Sequence, residues 1–125
     1  MDAIGERQVK EPSPEHPITI EPAGRRVTVT VAGKVVAASE RVLTLREAGY
    51  QPVHYFPPED VDFELLEPTD HTSWCPYKGE ADYHSVPIGG ERAVNAAWRY
   101  RDAFPAVAAI EGHVAFYRDR IDLSD

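Results

Sequence analysis

The residues whose types and spacing could do chemistry crowd into one stretch, His54 to His84. It holds the only cysteine, Cys75, one of the two tryptophans, Trp74, and the histidines His54, His71 and His84. A cysteine nucleophile needs a cation or an imidazole to hold its thiolate. Lys78 follows in the run Cys75-Pro76-Tyr77-Lys78-Gly79, within reach of the thiol if the run folds as a tight turn. His71 or His84 would then serve as base. The candidate catalytic set is Cys75, Lys78, His71 and His84. The plainer alternative is an inert cysteine packed under a shaped loop, because free cysteine is among the most buried residue types.

A second chemistry would be metal binding by His54, His71, Cys75 and His84, with Asp70 as a spare ligand. Zinc accepts this mixture of nitrogen and sulfur. The spacing matches no zinc signature, so the expectation is no metal and no cofactor. A third is a ligand pocket. Tyr55, Phe56, Trp74, Tyr77, Tyr83, Trp98 and Tyr100 would in part build a core. Tyrosine and tryptophan also keep a polar edge that suits pocket walls. Lys78 offers a point charge and Arg99 a fork for an anion. The candidate ligand-binding set is Tyr55, Trp74, Tyr77, Lys78, Tyr83, Trp98 and Arg99. No glycine-rich phosphate loop is present.

Elements must position these groups. A chain of 125 residues suits one domain with a modest core. Its net charge of −8 disfavours general binding to nucleic acid or an anionic membrane. One cysteine excludes an internal disulfide or a four-cysteine zinc site. The start of the sequence lacks the apolar run of a signal peptide, and no stretch reaches the roughly 20 apolar residues of a membrane helix. A cytoplasmic protein is the expectation.

Residues 1–17, with Pro12, Pro14 and Pro17, read as a flexible arm, leaving 18–125 as a single domain. Val27, Val29 and Val31 alternate with threonines, which predicts a half-buried strand. Gly33 turns the chain into a partner strand at Val35-Val36-Ala37. Arg41 to Leu45 and Val53 to Phe56 follow as strands, and Pro57 to Val61 as a turn or single helical turn. Phe63 to Leu66 reads as extended and Glu67 to Lys78 as a loop. Glu80 to Val86 reads as a strand, with Gly89-Gly90 as a hairpin signal and Ala93 to Tyr100 as the return strand. Pro105 to Ile110 is the one short helix expected. Val114 to Tyr117 and Ile121 to Leu123 complete the strands. The predicted class is mainly β, α+β at most, either a small barrel or a two-sheet sandwich.

The pattern Tyr55-Phe56-Pro57, Asp60-Val61, Thr72, Cys75-Pro76-Tyr77-Lys78-Gly79, Ala81, Tyr83, Ala97-Trp98-Arg99-Tyr100, Pro105 and Phe116-Tyr117 resembles domain-of-unknown-function family 427. The resemblance spans about Arg26 to Asp122 and implies a compact, mainly-β single domain. The nucleotidyltransferase label sometimes attached to that family implies paired aspartates after a Gly-Ser turn, holding two magnesium ions. Here Asp60-Val61-Asp62 supplies the aspartates with no Gly-Ser before them, so they read as solvated surface.

The reading that results is a small domain whose pocket binds a small molecule, an anion among the candidates. The first alternative is an enzyme using Cys75 as nucleophile with a histidine base. The second is a protein-interaction module, with a homo-oligomer as one form of it.

Overall fold

The computed structural model describes residues 7–125. The portion of the expected arm at 1–6 lies outside them. The fold is mainly β: among the described residues ten strands form three antiparallel sheets, none of them closed into a barrel. In the first sheet, β1 (Ile18–Pro22), β4 (Leu43–Glu47) and β5 (Val53–Tyr55) lie in the order β1-β4-β5. The second has β2 (Val27–Val31) between β3 (Lys34–Ser39) and β10 (Asp122–Ser124). The third runs β6 (Glu67–Cys75), β7 (Gly79–Ser85), β8 (Ala97–Tyr100), β9 (Val114–Phe116) in sequence order.

The valines of β2 do what their spacing dictates. Val27, Val29 and Val31 are buried, while Thr28 and Thr30 between them stay half-buried. The turn after β2 places Ala32 at φ 51° and Gly33 at φ 80°, the left-handed pair that a two-residue hairpin requires. The valines pack with Val36, Phe56, Ala93, Ala97, Phe116 and Ile121 in one core. A second core under the first and third sheets contains Leu45, Tyr55, Ala81, Tyr83, Tyr100, Val107 and Ile110. Reciprocal backbone hydrogen bonds between Phe56 and Val114, at 2.8 and 2.9 Å, stitch β5 to β9 and so join those two sheets.

Several local expectations change. Glu67 to Cys75 is a strand rather than a loop. It is the edge of its sheet, mostly exposed, and its register shifts between Pro68 and Thr72. A polar, bulged edge strand carries no apolar alternation to read. Gly89-Gly90 is not a hairpin turn but part of a kinked 3-10 segment, Pro87–Ala93. A Cβ on Gly89 would sit 2.7 Å from both Ala93 Cβ and Val31 Cγ1, so close packing accounts for that glycine. The return strand shortens to Ala97–Tyr100. Phe63–Leu65 is a 3-10 turn capped by the Asp62 carboxylate, which accepts from the Glu64 N–H at 3.1 Å. The expected helix at Pro105–Ile110 forms as 3-10 turns broken at Val107, with only Val107 and Ile110 buried. Among the described residues no helix is long and apolar enough to cross a membrane.

Residues 7–17 run along the body of the domain. Trp74 Nε1 donates to the Gln8 carbonyl at 2.9 Å, and the Lys10 N–H donates to the Pro76 carbonyl at 2.8 Å.

Candidate functional site

Strand period two decides which side chains meet. In β7 and β8 the register pairs Tyr83 with Trp98 and Ala81 with Tyr100 on one face, and Asp82 with Arg99 and His84 with Ala97 on the other. Across from the first face, β4 and β5 present Leu45, Glu47, Val53 and Tyr55. A cleft of about 600 Å³ opens between them. The Pro76-Tyr77-Lys78 turn and the residues Lys10 and His16 border it, with Trp74 and Cys75 at the end of β6.

The polar centre of the cleft is a chain of contacts. Lys78 Nζ donates to Glu47 Oε1 at 2.6 Å and lies 3.6 Å from Cys75 Sγ. Glu47 Oε2 meets His16 Nε2 at 2.5 Å. The His16 ring in turn stacks flat on Tyr77, with centroids 4.0 Å apart. The side chains of Lys78 and Glu47 keep only 9% and 10% of their exposure. Burial alone would raise the Glu47 pKa, but the hydrogen bonds from Lys78 and His16 hold it below the usual carboxylate value. Glu47 is therefore a carboxylate at neutral pH, and it offsets the Lys78 charge.

Phenols make up much of the remaining wall. Burial pushes Tyr55 and Tyr100 far above the ordinary tyrosine value, so both are neutral donors. Tyr83 Oη lies 2.9 Å from Ser73 Oγ and 3.2 Å from Tyr117 Oη. Tyr117 is pushed up to about 12, first by burial and then by Tyr83. Trp98 stands edge-on to Tyr55 and packs against Tyr117.

Of the residues singled out in the sequence, Tyr55, Trp74, Cys75, Tyr77, Lys78, Tyr83 and Trp98 line this cleft, whereas His71, His84 and Arg99 do not. His71 packs edge-on against Tyr83, 4.4 Å between centroids, and lines a different depression with Asn95 and Arg120. His84 and Arg99 fall on the opposite face of their sheet, where both contact Phe63. Burial, followed by the charge of Arg99, lowers the pKa of His84. Neither histidine is placed to act as base for Cys75. The imidazole in the cleft is that of His16, reached through Glu47. His54 is buried elsewhere and bonded to Asp125 at 3.0 Å. Among the described residues no three His, Cys, Asp or Glu side chains are gathered to hold a metal.

Glu47 and His16 were missed from the sequence. Glu47 left a signal. Leu43, Leu45 and Glu47 continue one face of β4, so the period puts a carboxylate where an apolar residue belongs. His16 left none, because it sits among prolines with no period.

No curated protein matches the chain. The family described as domain of unknown function (DUF427) matches residues 19–125. That span takes in β1 to β10 apart from Ile18, and every cleft residue except Lys10 and His16. The chain therefore belongs to the DUF427 family.

Proposed function

We propose that the cleft between the first and third sheets binds a planar small molecule carrying one polar or singly anionic group. The observation that carries this reading is the convergence of Tyr55, Trp74, Lys78, Tyr83, Trp98 and Tyr100 from both sheets on one cleft. Its volume, about 600 Å³, is that of a small-molecule site. Aromatic walls favour a flat ligand, and neutral phenols donate to its acceptor atoms. The charges of Lys78 and Glu47 cancel, leaving Lys10 as the cation among the described residues at the rim. A multiply charged anion has no counter-charge at the floor, so one negative charge is the most this cleft favours.

Both tryptophans of the chain line the cleft, so intrinsic fluorescence reports its occupancy. Aromatic carboxylates and phenols, 4-hydroxybenzoate first, should change that emission saturably. Trp98→Phe should remove most of the change, and Lys10→Gln should weaken the carboxylates more than the phenols. A panel of such fragments that leaves the emission unaltered to about 10 mM, a very weak affinity, counts against the reading.

A second reading rests on the 3.6 Å approach of Lys78 Nζ to Cys75 Sγ. In it Cys75 would act as nucleophile beside Lys78, with His16 and Glu47 arranged behind the lysine. Fast alkylation of native protein near pH 6, abolished by Lys78→Met, supports this enzyme. Slow alkylation with no inflection below pH ~8, the behaviour of an ordinary thiol, leaves the cleft as a binding site.

A further inference from the structure

His54, which the first cleft does not use, leads to a second site. It lies on the far face of the first sheet, with its side chain only 5% exposed. Thr44 Oγ1 holds its Nδ1 at 2.9 Å, which aims Nε2 outward at Asp125 Oδ2, 3.0 Å away. Arg118 donates to the same oxygen at 2.9 Å, and Arg25 NH2 stands 3.8 Å from it. Arg25 Nε also donates to the main-chain oxygen of Asp125 at 2.5 Å. These groups line a depression of about 370 Å³ together with Arg46 and Gln51. Arg46, exposed on the same face of β4, has no ion pair or hydrogen bond to any described residue.

The charge balance is uneven. Among the described residues, Arg25, Arg46 and Arg118 gather around the side-chain carboxylate and main-chain oxygen of Asp125, in a protein whose net charge is −8. The contacts to His54 and Arg118 hold the Asp125 pKa at about 2, so it is an anion at any working pH. Asp125 already engages Arg118 and Arg25, and Arg46 is the arginine there with no partner among the described residues. A phosphate has more charge and more acceptor oxygens, and the planar forks of arginine suit it. Asp125 follows directly on β10, and its own side chain is 31% exposed, so it can yield its place without disturbing a core.

We propose that Arg25, Arg46, Arg118 and His54 form a binding site for a phosphate or phosphate monoester, and that the Asp125 carboxylate is its internal competitor. The site lies on the opposite face of the first sheet from the cleft and shares with its lining only Gln51. Its rim is continuous with an apolar depression that shares His54, Gln51, Pro52 and Arg118 and adds Phe116 and Leu123. An organic group esterified to the phosphate would fit there.

The test uses the full chain and follows the His54 ring nitrogens by NMR while inorganic phosphate or phenyl phosphate is added. Asp125→Asn should tighten phosphate binding about tenfold, the factor expected from removing one competing charged hydrogen bond. Arg46→Gln in that background should reverse most of the gain. Arg46 bonds to nothing described, so this loss would not reflect damage to the fold. Phenyl phosphate bound more tightly than inorganic phosphate upholds the site and assigns it to an organic ester, and equal binding upholds it as a site for the free ion. Unchanged affinity in Asp125→Asn, or binding that survives Arg46→Gln and Arg118→Gln, overturns the proposal.

Discussion

The Lys78–Glu47 pair sets up the sharpest test of how the cleft is held together. Lys78→Met keeps the length of the stem and removes the ammonium, leaving Glu47 buried with His16 as its one partner. Removing one member of a buried pair costs ~3–5 kcal/mol, chiefly because the other charge stays behind unpaired. Here water in the cleft and the contact to His16 reduce the penalty, so about 2–3 kcal/mol is expected. For a domain of this size each kcal/mol shifts Tm by roughly 3–5 °C, which gives a fall of about 6–15 °C. Glu47→Gln should cost less, because it retains hydrogen bonds to both neighbours. The double variant Glu47→Gln/Lys78→Met leaves no orphan charge and should recover at least ~1 kcal/mol over the sum of the single changes. Urea unfolding of the four proteins at pH 7, with the m-value checked for constancy, measures this. A second signature is acid sensitivity. Glu47 titrates below its ordinary 4.5 in the fold, so its contribution is full above about pH 4.5 and fades as the pH falls below it. Glu47→Gln should flatten that part of the stability profile. A loss under ~0.5 kcal/mol in Lys78→Met, or simple additivity in the double variant, would refute the account of a coupled buried pair.

Other consequences follow from the same geometry. Gly89→Ala should destabilise by about 1–3 kcal/mol, since its Cβ meets backbone-anchored side chains of Ala93 and Val31, and an unchanged midpoint would contradict the packing described. Phe56→Ala, which deletes a fully buried ring packed edge-on against Phe116, should cost about 3–5 kcal/mol by denaturant unfolding. In alkaline titration followed at the phenolate absorption band, Tyr55, Tyr100 and Tyr117 should ionise later than free tyrosine. The unfolded chain releases those protons first, so stability should decline as pH rises above about 10. Deleting residues 1–16 removes the His16 stack and the bonds at Gln8 and Lys10, and should lower Tm further than deleting 1–6.

The fold was legible where β-branched residues alternate in a sustained run, but the shorter alternation of Ile18 and Ile20 in β1 went unread. The Val27–Val31 alternation gave β2, and its partner followed from Gly33, because period two survives in single residues. It was illegible where burial does not alternate. β6 is a polar edge strand, and the alternation-free run from Pro87 to Ala93 owes Gly89 to a contact with Val31, distant in sequence. The cleft was legible in part for a related reason. Tyr83, Trp98 and Tyr100 fall on one face of adjacent strands, and Trp74, Cys75 and Lys78 flank a tight turn, so local chemistry brought them together. Arg99 and His84 went astray by one residue of register, which exchanges the faces of a sheet. Glu47 and His16 come from a different sheet and from the proline-rich segment. The contacts of Glu47 with Lys78 and of His16 with Glu47 are tertiary, so the pairing has no local signature.

The claim at the centre of this account is that the cleft between the two sheets is a binding site. The measurement that tests it most directly is a crystallographic soak of wild-type protein with a library of small planar fragments. Bound fragments should gather against Trp98, with a polar group toward Lys10 or the phenols of Tyr83 and Tyr100, and Trp98→Ala crystals should lose them. Fragments that leave this cleft empty while collecting elsewhere on the surface would contradict it.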